Sequence, residues 1–128
     1  MRYPIFIEHG NDDYAFGVVV PDLPGCFAAG DTLDEALDNV REAIAAWLES
    51  ELDNGGTILP PKSIDEYLRD YARWTPSIIE IELNEVLGEA ERINISLPKR
   101  VLRRLDHQAA LANETRSGYI AKLALEHG

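Results

Sequence analysis

The chain has 128 residues, enough for one ordinary domain or two small ones, and a formal net charge of −11. It holds no apolar run long enough to span a bilayer and no amino-terminal signal segment, so a cytoplasmic protein without a membrane partner is expected. The single cysteine, Cys26, excludes an intramolecular disulfide, and the acidic balance of the whole chain argues against nucleic acid.

Taken in order, Tyr3–Glu8 reads as a first strand, with Ile5 and Ile7 alternating against Phe6. Gly10-Asn11-Asp12-Asp13 is a turn, and Tyr14–Val20 a second strand that pairs with the first as a hairpin. Pro21–Gly25 is a rigid loop before a short third strand, Cys26–Ala29, and Gly30 lets the chain turn. Thr32-Leu33-Asp34-Glu35 is a capping box: the Thr32 hydroxyl caps the first turn and Glu35 reaches back. The helix it opens carries Leu33, Leu37, Val40, Ile44, Trp47 and Leu48 on an apolar stripe and stops at Asn54-Gly55-Gly56. Ile58–Pro61 is an extended connector. Ser63-Ile64-Asp65-Glu66 is a second capping box, opening a shorter helix with Ile64, Leu68 and Tyr71 apolar that ends before Pro76. Ser77–Leu83 alternates as a further strand. These elements predict an α+β layer in which the long helix covers one face of the sheet.

A different unit follows. In Arg92-Ile93-Asn94-Ile95-Ser96-Leu97 the apolar and polar side chains alternate, so a strand here has one greasy and one polar face. Pro98 ends it and suits the first turn of a helix. Val101, Leu102, Leu105, Ala109 and Ala112 recur at helical spacing. After a break at Asn113-Glu114-Thr115, a second short helix carries Ile120, Leu123 and Ala124. The expected division is a first unit over 1–85, a linker over 86–91 and a second unit over 92–128.

Charge divides the same way. Residues 92–128 hold seven bases against three acids, a balance of +4; residues 1–91 hold five against twenty, a balance of −15. The basic part can meet phosphate, while the acidic part suits a basic protein partner or serves solubility. A lone strand leaves both edges unpaired, and so few residues cannot bury a sufficient core. A second copy, antiparallel across a two-fold axis, cures both defects. The doubled ribbon then buries its apolar face on four helices and presents two sets of Arg92, Asn94 and Ser96. Such a ribbon fits the major groove of double-stranded DNA, and these side chains can read base edges.

The 92–128 segment, with its alternating strand, Pro98 and the turn Asn113–Ser117 into the last helix, resembles the ribbon-helix-helix family of DNA-binding dimers. The resemblance implies base contacts from Arg92, Asn94 and Ser96 and a phosphate held by Thr115, Arg116 and Ser117; a helix N-terminus has its own reason to bind an anion. The β-β-β-α-β order of the first unit, with Pro21–Cys26 and Asp31–Ala36, resembles the HicB antitoxin family. That resemblance spans nearly the whole chain. It implies a partial RNase-H-like domain that neutralises HicA, a small basic RNase toxin. With a DNA-binding tail, it also implies repression of the chain's own operon by a homodimer or higher homo-oligomer.

Two other functions stand beside this one: a ribbon-helix-helix regulator whose first domain senses a small ligand, and a metal-dependent nuclease. For the nuclease, Asp12, Asp13, Asp22, Asp31 and Asp34 are available, but they sit in turns and caps where aspartate has a structural reason to be. His9, His107, His127 and Cys26 lack metal-ligand spacing, so no metal, no cofactor and no catalytic residue is expected. Trp47 belongs to the helix stripe, and Trp74 is open between core and interface. Asp22, Leu23 and Glu35 are candidate partner contacts from loop and helix-start position alone.

Overall fold

Tyr3-Pro4-Ile5-Phe6-Ile7 is buried without a break, which a strand achieves only when both its faces are covered. The computed structural model describes residues 1–82, 84–88 and 90–126. In it β1 (Arg2–Glu8) pairs antiparallel with β2 (Phe16–Val19) on one edge and β4 (Thr75–Glu80) on the other. β3 (Phe27–Gly30) pairs with β2, giving a four-stranded antiparallel sheet of order β3-β2-β1-β4. The fold is mixed α+β, as the sequence predicts.

The helix α1 (Leu33–Asp53) covers one face. Its fully buried positions are Ala36, Val40, Ile44 and Leu48, spaced four apart. They meet Tyr3, Ile5, Ile7, Val18 and Val20 in one core, while Leu33, Leu37 and Trp47 are only partly covered. Both ends follow their local chemistry. Thr32 Oγ1 accepts the Glu35 N–H (3.1 Å), and the Glu35 carboxylate accepts the Asp31 N–H (3.2 Å), one residue further back than an ideal capping box. At the other end Gly55 takes φ +81, and the Gly56 N–H closes on the Glu51 carbonyl (2.8 Å). Gly30 is required for packing: a Cβ there would lie 2.5 Å from the Ala36 nitrogen, so only glycine lets α1 press onto β3.

The opposite face is closed by aromatics. Tyr71 stacks on Phe6 at 4.6 Å, and Trp74 meets Tyr71 edge-on at 5.9 Å, which places Trp74 in this packing. The segment that delivers them differs from expectation. In place of a second α-helix there is a 3-10 turn over Ile64–Glu66 followed by further turns. Ser63 Oγ accepts from Asp65, two residues on, rather than from Glu66. Asp22 accounts for the difference: it accepts the Tyr67 hydroxyl (2.6 Å) and the Lys62 N–H (3.2 Å), and these anchors outweigh helix propensity in so short a segment.

β4 begins two residues earlier than expected and contains Pro76. The pairing explains why this is tolerated. The Ile81 N–H bonds the Met1 carbonyl, so by alternation the nitrogen of Pro76 faces the free edge, where no ladder bond is lost. Pro4 points its nitrogen toward β2, but at a level beyond the last paired residue, Val19. Leu83, the expected end of this strand, lies outside the described residues, as does His127. A one-turn helix α2 (Asn84–Leu87) follows, and its Val86 is buried in the core. The expected linker at 86–91 therefore begins inside the first unit.

The tail holds α3 (Lys99–Leu111) and α4 (Arg116–Glu126). Asn113 joins them at φ 57, one of the few non-glycine residues that accept this region, and the Glu114 N–H closes on the Ala109 carbonyl (2.9 Å). The expected strand Arg92–Leu97 is not formed in the single chain. A strand exists through its ladder, and among the described residues none pairs with this one. The tail touches the body where the Ile58 N–H meets the Leu125 carbonyl (3.2 Å). No described helix is long and apolar enough to cross a membrane.

Ile44→Ala is expected to destabilise the protein by about 2–5 kcal/mol, and Glu49→Ala, on the exposed side of the same helix, by less than about 0.5 kcal/mol. Urea unfolding followed by far-UV circular dichroism checks both.

Candidate nucleic-acid and partner interfaces

Arg92, Asn94 and Ser96 lie on an exposed segment immediately before α3. The apolar residues between them are exposed as well: Ile93 at 73% and Ile95 at 60%, with Leu97 and Val101 also open. The polar and apolar rows are thus both present and both uncovered. In α3, Ala109 is buried and Leu102, Leu105 and Ala112 are half-buried, while Lys99, Arg100, Arg103 and Arg104 face outward. The tail presents a cationic surface beside an apolar row that none of the described residues covers.

The three expected phosphate ligands are brought together at the start of α4, but two of them have structural work there. Thr115 Oγ1 accepts the Gly118 N–H (3.0 Å) and its carbonyl the Tyr119 N–H (2.9 Å), so Thr115 caps the helix. Arg116 forms a two-pronged ion pair with Asp106 of α3, Nε to Oδ1 at 2.8 Å and Nη2 to Oδ2 at 2.9 Å. Hydrogen bonds from Arg116 hold the Asp106 carboxyl below its ordinary range, and Asp106 in turn raises the guanidinium. Ser117 is exposed. Asp106 was not legible as a site residue, because its pairing across the turn depends on the angle between two helices.

In the body, each candidate partner contact also holds local structure. Leu23 is buried, Asp22 ties the 21–25 loop to Lys62 and Tyr67, and Glu35 caps Asp31. Burial, then donation to Asp22, pushes the Tyr67 hydroxyl well up, and burial with the Asp22 charge pushes Tyr3 up to about 12. The Trp47 indole N–H donates to the Pro24 carbonyl (3.0 Å). Cys26 is buried and its thiol shifts upward accordingly. The five aspartates considered for metal do not converge; among the described residues no three His, Cys, Asp or Glu side chains form such a group.

The Asp106–Arg116 pair has a pH signature. A carboxyl depressed in the folded state stabilises above its unfolded value and loses that contribution as pH falls through the folded one. In a 13C-detected titration the Asp106 carboxyl is expected to protonate below the ordinary aspartate range, and to return to that range in Arg116→Ala.

The chain matches the model of the family described as HicB_like antitoxin of bacterial toxin-antitoxin system over residues 3–124. It is 39% identical over 128 residues to a 14.9 kDa protein of the rep-hol intergenic region of Haemophilus phage HP1, spanning 97% of this chain and 95% of that protein. The crystal structure of the Burkholderia pseudomallei antitoxin HicB superposes with a TM-score of 0.75 at 35% identity, covering 99% of this chain and 98% of that one. A chain of a HicA3 and HicB3 toxin-antitoxin complex superposes with a TM-score of 0.52 at 32% identity, covering 64% of this chain and 99% of that one. With the matched span running from the first strand into the last helix, the chain belongs to the HicB-like antitoxin family.

Proposed function

We propose that this chain is the antitoxin of a HicA/HicB-type pair, that its acidic body holds a HicA-like RNase toxin, and that its tail binds operator DNA as a ribbon-helix-helix dimer. The observation that carries the DNA reading is the state of residues 92–97. A single chain leaves Ile93, Ile95, Leu97 and Val101 in water next to unpaired backbone. A second copy supplies both missing things at once, a ladder for the backbone and cover for the apolar row. The polar row then lies on the outer face, with Arg92, Asn94 and Ser96 toward base edges and the cations of α3 beside it.

The phosphate site is read at the start of α4. The pair with Asp106 uses Nε and Nη2 of Arg116, so Nη1 remains for a phosphate oxygen while Asp106 fixes the guanidinium's direction. Free amides of the first turn and the Ser117 hydroxyl complete the site. The toxin reading rests on family membership, on the toxin-antitoxin complex among the structural neighbours, and on the charge of residues 1–91. The body is read as a partial RNase-H-like domain used for binding, with no enzymatic role. The burial of Val86 in its core supports a functional boundary after Leu87 rather than after residue 85.

Asn94→Ala is expected to cost about 1–3 kcal/mol on operator DNA while leaving random DNA unaffected; equal weakening on both, by fluorescence anisotropy, defeats base reading. Arg116→Ala is expected to weaken all sequences alike and to flatten the dependence of affinity on salt. A loss confined to the operator excludes the phosphate role.

A further inference from the structure

A sheet of four strands has two edges, and the two here are unequal. By the alternation set by Ile81 and Met1, residues 76, 78 and 80 of β4 point their backbone groups outward. Pro76 has no N–H to offer, and the Glu80 carbonyl already accepts Arg41 Nη1 (2.8 Å). That edge is blunted at both ends. On β3, the bond from the Val20 N–H to the Cys26 carbonyl (3.1 Å) turns Cys26, Ala28 and Gly30 toward β2. Phe27 and Ala29 therefore face outward. Asn39 of α1 donates to the Ala29 carbonyl (2.8 Å), and Glu35 occupies the Asp31 N–H. What stays open is the N–H and C=O of Phe27 and the N–H of Ala29; among the described residues none pairs with them. The Phe27 side chain stands 69% exposed on the sheet face away from α1.

An antiparallel strand exchanges both bonds between directly opposed residues, and Phe27 offers such a pair. The surroundings decide what strand this is. Glu35 and Glu42 flank Asn39 on the side of α1 beneath this edge, with Asp31, Asp34 and Asp38 nearby, all exposed. No described cation forms an ion pair with any of them; Arg41, the one base on α1, reaches the opposite edge. A second copy would bring two acidic faces together, which disfavours self-pairing.

We propose that the β3 edge takes an extended, basic segment of the partner protein as a fifth strand, with Phe27 as the apolar anchor and the carboxylates of Glu35 and Glu42 meeting its cations. This rests on the antitoxin reading above and assigns where on the body the partner sits.

The test uses the full chain co-purified with a HicA-like RNase toxin. Phe27→Asp is expected to weaken that complex at least about 30-fold, with the melting temperature of the free chain unchanged because Phe27 is exposed. Glu42→Lys is expected to slow association and reduce its salt dependence. Ile78→Asp on the blunted edge is expected to change affinity less than about threefold. In the wild-type complex the Phe27 and Ala29 amides become protected from hydrogen exchange. Fast exchange at Phe27 within an intact complex, or unchanged affinity in Phe27→Asp, overturns the edge proposal and leaves the antitoxin reading standing. A Phe27→Asp variant that loses only self-association assigns the edge to a second copy and also overturns it. Failure of the wild-type chain to bind any HicA-like toxin overturns the antitoxin reading itself.

Discussion

Backbone hydrogen bonding sorts this molecule into finished and unfinished parts. β1 has ladder partners on both edges, α1 beneath it, and Tyr71 above. Most peptide groups along it have a ladder partner, and its five central residues are buried. Removing β1 would leave β4 without a neighbour and take Tyr3, Ile5 and Ile7 out of the core that α1 covers. Residues 92–97 have the composition of a strand with none of these supports. The same physical requirement, a partner for each exposed N–H and C=O, explains why one segment is a strand in the single chain and the other is not.

The blunting of β4 and the opening of β3 extend this logic to the surface. Proline at a free edge and an arginine on a terminal carbonyl are ways of ending a sheet. Asn39 and Glu35 end β3 in the same manner but stop short of Phe27. An edge closed at its C-terminal end and open at its start is consistent with pairing held to a short, defined register. Under the proposed function, the body and tail then obey one rule: each completes its sheet with a strand from another molecule, chosen by the charge that surrounds the edge.

Charge is distributed to match. The −15 of residues 1–91 and the +4 of residues 92–128 would cancel in effect if they were interleaved, but they are segregated by the chain itself. The Asp106–Arg116 pair shows how an acid inside the basic tail is used: it orients a guanidinium across a tight turn and joins α3 to α4. Being exposed, it contributes to geometry more than to stability.

Much of this was written in the sequence. Thr32 and Glu35, the four-residue spacing of Val40, Ile44 and Leu48, Gly55 and Asn113 are local signals. They work because capping, helical periodicity and left-handed turns depend on residues a few positions apart. The tertiary structure alone decided that Ile64–Trp74 would be turns rather than a helix, since Asp22, forty residues earlier, holds them. It decided that Pro76 would sit inside a strand, that Val86 would join the core, that Leu23 would be buried and Phe27 left out. It also decided that Arg116 would face Asp106. Each of these depends on which residues distant in sequence become neighbours, and a pattern read along the chain carries no record of the distance across it.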